Sequence, residues 1–256
     1  MKISVITPSL NSVRYMEDSI ISVLKQNYSN FEHIIVDGGS TDCTIDMLKK
    51  YPHLKWISEP DNGQSQAMNK GFEMSSGDII VYLNADDYFE PGAFFKVSSF
   101  FRENRSAIFL VGKLRVIEES GNQWINNPKI SFADMIRWWE SQAYPYNPAA
   151  YFYKREIHEQ GCKFNEDEHY FMDWEFLLDA SKLCKFNKID AILGNFRLMH
   201  GTKTFETKTT SYYTRRYNAS IRFAASLGNE EKVAFMHDLD QIYKQEIKKY
   251  RNEKNT

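Results

Sequence analysis

Asp78-Ile79-Ile80-Val81-Tyr82-Leu83-Asn84-Ala85-Asp86-Asp87 is a short apolar run that stops abruptly at two adjacent carboxylates. A run this apolar reads as a strand buried on both faces, as in a parallel sheet covered by helices. Open α/β sheets bind ligands at the carboxyl ends of such strands. Two neighbouring carboxylates repel each other, so a positive partner is expected beside them, and a divalent metal with oxygen ligands suits that place. The same residues also allow a plainer reading, a solvated Asp-Asp turn ahead of a helix that starts near Pro91. On this stretch alone the two readings stand level.

Outward from that run, strand and helix patterns alternate. Strands are expected at Ile3–Thr7, His33–Asp37, Leu54–Ser58 and Ile79–Leu83. Between them lie amphipathic helices: one after Asn11 with Met16, Ile20, Val23 and Leu24 on one side, one after Asp42, and one over Gln64 to Met74. This order predicts an α/β fold, a Rossmann-like, mostly parallel sheet with helices on both faces. Beyond it, Phe109–Ile117, a turn at Gly121-Asn122 and Trp124-Ile125 read as a β excursion. A dense aromatic group (Trp138, Trp139, Tyr144, Tyr146, Tyr151, Phe152, Tyr153) follows, read mostly as core, with Trp138, Trp139 and Tyr146 as candidates to reach a cleft. A strand-like Ile192–Leu198 and helices near 173–183 and from about 208 to the end complete the pattern. The expected division is a parallel α/β half at 1–104, a second half of the same domain at 105–206, and a C-terminal helical extension at 207–256.

Composition narrows the class. With 256 residues, 42% hydrophobic and 26% charged, the chain reads as an ordinary globular protein with room for one substantial core. A net charge of -2 without a long basic block argues against nucleic acid as a partner. Three widely spaced cysteines (Cys43, Cys162, Cys184) read as reduced thiols. The immediate opening strand leaves no room for a signal peptide, and no apolar run nears the roughly 18 residues of a membrane span. A cytoplasmic location is therefore expected. The basic tail (Lys244, Lys248, Lys249, Arg251, Lys254) reads first as a solvated helix face and second as a peripheral contact with the inner face of a membrane.

All four strands of the first half end in polar, turn-forming residues: Thr7-Pro8-Ser9-Leu10-Asn11, Asp37-Gly38-Gly39-Ser40-Thr41-Asp42, Glu59-Pro60-Asp61-Asn62-Gly63 and Asn84-Ala85-Asp86-Asp87. In a parallel sheet these ends share one edge, and together they point to a polar ligand site. Neither a G-x-G-x-x-G fingerprint nor a G-x-x-x-x-G-K-[ST] loop occurs, which disfavours dinucleotide and P-loop chemistry. A strand-end acid such as Asp37 suits a base N–H or a ribose hydroxyl.

This ordered set, extended by Ser58-Glu59-Pro60-Asp61-Asn62-Gly63-Gln64-Ser65-Gln66-Ala67-Met68-Asn69-Lys70-Gly71, resembles the family 2 glycosyltransferases of the GT-A fold. The match is close over about the first hundred residues and looser through Pro148–Arg155, Met172–Glu175 and Phe196–His200. The resemblance implies inverting transfer from a nucleoside-diphosphate sugar, usually a UDP-sugar, to a saccharide or glycolipid hydroxyl with Mn2+ or Mg2+. It places Thr7 and Pro8 at the floor of a nucleotide pocket, with Asn11 in the same motif, Asp37 on the base, and Asp61, Asn62 and Lys70 near the base or the diphosphate. Asp86 and Asp87 become the D-x-D-type pair, Asp87 on the metal and Asp86 nearer donor hydroxyls. His200 lies near the metal or diphosphate, ahead of a lid at Gly201-Thr202-Lys203-Thr204. Departures are Asn84, Gly38 and Gln66, each where aspartate is frequent in the family.

Inverting transfer needs one base to take the acceptor's proton and no covalent nucleophile. Asp173, opening a helix where the resemblance puts the family's acidic residue, is the candidate the resemblance implies, weighed against a plain helix cap; Glu166, Asp167, Glu168 and Glu175 stand behind it. Two other readings compete: a nucleotide-sugar-binding protein without catalysis, and a sugar nucleotidylyltransferase, whose basic glycine-rich opening is missing after Ile6.

Overall fold

A computed structural model of the chain describes residues 1–200 and 209–253. Four parallel strands, β1 (Ile3–Ser9), β2 (Phe31–Asp37), β3 (Leu54–Ser58) and β4 (Ile79–Tyr82), form one half of a nine-stranded sheet in the order β3-β2-β1-β4. Each connection carries a helix: α1 (Val13–Leu24), α2 (Thr44–Leu48) and α3 (Gln64–Met74). β4 is buried at every position, as its composition demands. Its alternation sends Ile79 and Val81 into one apolar cluster and Ile80 and Tyr82 into another, so the sheet is covered on both faces. Gly71 lets α3 lie directly on β1, since a Cβ there would collide with Ile6.

The second half departs from the parallel pattern. A two-residue strand β5 (Tyr88–Phe89), helix α4 (Ala93–Glu103), β6 (Phe109–Glu118) and β7 (Gln123–Asn126) follow β4. After a short helix α5 (Phe132–Met135), the aromatic run Tyr151–Lys154 forms β8. This strand inserts antiparallel between β4 and β6, pairing Ile79 with Lys154 and Phe109 with Tyr153. The aromatic group is thus mostly core, as expected, but part of it is a central strand. A short α6 (Glu156–Glu159), then α7 (Met172–Leu183), lead to β9 (Phe186–Leu198), which starts six residues before the expected strand. β9 runs beside β6 and reaches β5.

The expected C-terminal helix is two helices, α8 (Thr210–Ala224) and α9 (Asn229–Glu253), broken at Ser226-Leu227-Gly228. α8 is bound to the segment around α7 by two ion pairs onto buried carboxylates, Arg215 with Glu168 at 2.7 Å and Arg222 with Glu175 at 2.5 Å. Between them Arg216 is buried among Trp138, Tyr144 and Trp174 and donates to the Tyr144 hydroxyl at 2.9 Å. All three cysteines are free thiols. Among the described residues no helix is long and apolar enough to cross a membrane.

Candidate active site

Parallel register brings the strand ends together. Ser9 pairs with Asp37 and Ile6 with Tyr82, so the loops after β1, β2 and β4 open on one edge. There a cleft of about 650 Å³ is lined by Pro8, Asn11, Asp61, Asn84, Asp86, Asp173 and His200 among the residues expected at a site. Arg14, Tyr15, Gln64, Tyr146, Asn147 and Tyr170 also line it. Of the three aromatic candidates, Tyr146 reaches the cleft. Trp138 instead donates to Ser220 Oγ and Trp139 packs on Phe235.

The loops are built on one another. Asn11, with positive φ, accepts at Oδ1 from the Thr41 and Asp42 amides, and Asp42 accepts from the Val13 amide at the start of α1. Asp37 is fully buried and turns inward: its carboxylate accepts from the Gly39 and Ser40 amides and from the Ser40 and Ser58 hydroxyls. It shapes the loop and does not line the cleft. Thr7 also lies beneath the floor, its hydroxyl 2.9 Å from His33 Nε2. Asp61 lines the cleft packed against Gly38, where a Cβ would come 2.8 Å from Asp61 Oδ2. Asn62 is exposed with its amide on Gln66, and Lys70 is paired with Glu59; neither lines the cleft.

The acidic pair divides opposite to the expectation. Asp87 is fully buried and accepts three bonds from the protein: at Oδ2 from Asn84 Nδ2 at 3.1 Å and Asn147 Nδ2 at 2.7 Å, and at Oδ1 from the Arg197 amide at 3.0 Å. Asp86 is the member that lines the cleft. Burial pushes both carboxyls above the usual range. For Asp87 the neighbouring Asp86 charge adds to burial, against the three donors. Asn84 explains its own departure from the family pattern: its oxygen accepts from Gln64 and its amide donates to Asp87, where a third carboxylate would add repulsion.

Arg197, which the sequence marks only as part of the looser Phe196–His200 match, straps this loop. Its Nη1 donates to the Asp86 carbonyl at 2.9 Å, its Nη2 to Asp18 at 2.7 Å, and its guanidinium lies over the Tyr15 and Tyr88 rings. On the opposite half, Phe171 holds the cap position of α7, so Asp173 stands in the first turn and lines the cleft. The buried Tyr151 hydroxyl sits close enough to be pushed up by burial and then by the Asp173 charge. The fallback acids do not line the cleft; Glu168 and Glu175 are committed to α8. His200 is 71% exposed at the rim, its amide donating to Glu119. The expected lid at Gly201–Thr204 lies outside the described residues.

No three His, Cys, Asp or Glu side chains converge as a metal cluster among the described residues. The donor set fits a hard cation only if a ligand supplies further oxygens beside Asp86, as Mg2+ with substrate phosphates does.

This architecture is the α/β fold of the GT-A glycosyltransferases, such as TarS. The structure of residues 1–349 of S. aureus TarS in complex with UDP-GlcNAc matches with a TM-score of 0.71 and 19% identity, over 93% of this chain and 71% of that one. The mannosyltransferase PcManGT of Pyrobaculum calidifontis, in complex with GDP-Man and Mn2+, matches at 0.65 and 15% identity, over 98% and 73%. Residues 4–162 match the family model described as glycosyl transferase family 2, and the chain belongs to that family. Among its relatives is the Bacillus subtilis protein TuaG, described as a putative teichuronic acid biosynthesis glycosyltransferase. The two are 36% identical over 116 residues, 43% of this chain and 46% of TuaG, so the chain spans less than half that relative's length.

Proposed function

We propose that the chain transfers a sugar from a nucleoside-diphosphate sugar, a UDP-sugar first, to a saccharide or glycolipid hydroxyl with inversion. The observation that carries this is one cleft receiving Asp86 from the β4 loop and Asp173 from α7. Asp173 is the general base: it takes the acceptor's proton as the hydroxyl attacks the anomeric carbon in line. Its place on a helix braced by α8 fixes it relative to the sheet. Asp86 would hold Mn2+ or Mg2+, which when bound supplies Lewis-acid neutralisation of the leaving diphosphate. Asn84, Asn147 and Arg197 keep Asp87 and its loop rigid, so that Asp86 is presented without a search. Pro8, Asp61 and His200 line the same cleft and would lie near the nucleotide and its diphosphate. TarS holding UDP-GlcNAc and PcManGT holding GDP-Man and Mn2+ support this class of donor and cation.

The test is release of nucleoside diphosphate from a panel of UDP-sugars and GDP-mannose, with Mn2+ or Mg2+ and with EDTA. Release that needs the cation is expected. A chain that binds none of these donors with either cation present breaks the reading.

A further inference from the structure

A nucleoside diphosphate brings negative charge into a cleft whose ionisable lining is mainly acidic: Asp61, Asp86 and Asp173. The cation that motif resemblance offers for the diphosphate, Lys70, is paired with Glu59 outside the cleft. Arg197 is spent on Asp18 and on the Asp86 carbonyl, and the His200 ring lies beside Glu119. Among the described residues one arginine or lysine lines the cleft, Arg14, in the first turn of α1. Its side chain is exposed and has no carboxylate partner among the described residues.

Arg14 is nevertheless held. Its guanidinium lies 4.9 Å from the centroid of the Tyr15 ring, and the guanidinium of Arg197 lies 4.9 Å from the same centroid. The ring's negative face attracts both cations, while the two cations repel each other. Arg197 in turn touches the backbone of Asp86. Arg14 therefore lines the cleft next to the loop that presents the metal-side carboxylate, with no carboxylate paired to it among the described residues.

We propose that Arg14 is the cleft's anion-binding cation and grips the diphosphate of the donor through charge-assisted hydrogen bonds. This rests on the reading of the cleft as a nucleotide-sugar site and adds the residue that neutralises the phosphates from the α1 side. A planar guanidinium suits two phosphate oxygens at once, which a lysine ammonium meets only as a point charge.

Isothermal titration of UDP and GDP, with uridine and guanosine as phosphate-free controls, tests the assignment in Arg14→Gln, Arg14→Lys and the unaltered chain, each with Mn2+ and with EDTA. For whichever nucleotide binds, Arg14→Gln is expected to weaken the diphosphate by about 10- to 100-fold while the nucleoside binds as before, and Arg14→Lys to recover part of the loss. The exposed position predicts an unchanged melting temperature in both variants. Undiminished diphosphate binding in Arg14→Gln overturns this assignment and leaves the site reading intact. An equal loss for nucleoside and diphosphate also overturns it, since Arg14 would then shape the base pocket. If the unaltered chain binds no nucleoside diphosphate, the assignment and the site reading fall together.

Discussion

Glu32 at the amino end of the sheet and the Asp86-Asp87 pair at its carboxyl end are buried or half-buried carboxylates treated in opposite ways. At the amino end, Glu32 on β2 accepts from Lys55 Nζ at 2.6 Å, Ser4 Oγ at 2.6 Å, the Ser76 amide at 2.7 Å and Lys2 Nζ at 3.0 Å. Burial alone would raise its pKa, but those bonds hold it far below the usual carboxylate range. At the carboxyl end, burial wins and both Asp86 and Asp87 are pushed up. Neutral amides serve Asp87, and no lysine approaches either acid within ion-pair distance among the described residues. The amino end answers its own charge and is finished. The carboxyl end leaves charge to be answered by whatever enters the cleft.

The sharpest break would come from transfer measurements. Asp173→Asn is expected to keep donor binding while turnover falls by about 100-fold or more, the usual worth of a positioned base. Asp86→Asn is expected to cost at least as much and also to remove the cation-dependent part of donor binding. Either variant turning over at the unaltered rate would strip that residue of its role, and with Asp86 the contrast between the two ends would go too.

Next in size is a stability difference within the acidic pair itself. Asp87→Ala strands the Asn84 and Asn147 amides and the Arg197 N–H, three donors in or near the core, and should cost about 2–4 kcal/mol. Asp86→Asn removes a like charge beside a buried acid and should leave stability unchanged or slightly raised. Urea denaturation of both variants checks the ranking. The reverse order would mean that Asp86 and not Asp87 anchors the loop.

That division marks where the sequence stops being legible. The parallel half reads directly because each strand is a buried apolar run and each helix amphipathic, and the ordered loops carried the family. β8 did not read as a strand, since Tyr151–Lys154 is aromatic and follows Pro145 and Pro148, while its partners on β4 and β6 lie far away in the chain. Which of two adjacent aspartates faces inward depends on Asn147 and Arg197, remote in sequence and unmarked as partners. A strand-end acid such as Asp37 suits a base by its position in sequence, but four donors from its own loop and from Ser58 reach it first. Arg14 escaped notice for the opposite reason: an exposed arginine on an amphipathic helix looks like any solvated charge.

A smaller effect should appear on acidification, and it arises away from the cleft. His33 and His158 are buried, and burial first of all lowers them to about 3 and about 4 from 6.5. His158 Nε2 lies 2.9 Å from the Tyr153 hydroxyl and 3.2 Å from that of Tyr82, in a site with no place for a cation. Below pH 6.5 the unfolded chain binds protons that the folded chain refuses. Stability is therefore full above about 6.5 and falls as pH drops toward the folded values, by at most about 1.4 kcal/mol per pH unit for each histidine. Glu32, lowered from 4.5, adds a further loss below that pH. Denaturation at pH 7.5, 6 and 5 measures the slope, and His158→Gln should flatten it by about half. Asp86 and Asp87, pushed up by burial, act with the opposite sign as pH falls, so the unaltered chain and His158→Gln are compared directly. Identical slopes in the two would mean that His158 takes its proton as readily in the fold as in the unfolded chain.

The least expected change is at Glu32, where the comparison is tested from its quiet side. Glu32→Gln keeps the shape and one acceptor oxygen but leaves Lys2 and Lys55 without their carboxylate. Both lysines reach water, with side chains 31% and 53% exposed, so the stranded charges can be hydrated. The cost should be about 1–2 kcal/mol, below that of Asp87→Ala, and Lys55→Met alone should cost less than about 1 kcal/mol. Transfer should be unaffected by either change, because nothing at the amino end lines the cleft. A variant there that lost activity while holding its melting temperature would show charge at the closed end acting on the open one, and the two ends could no longer be treated as independent.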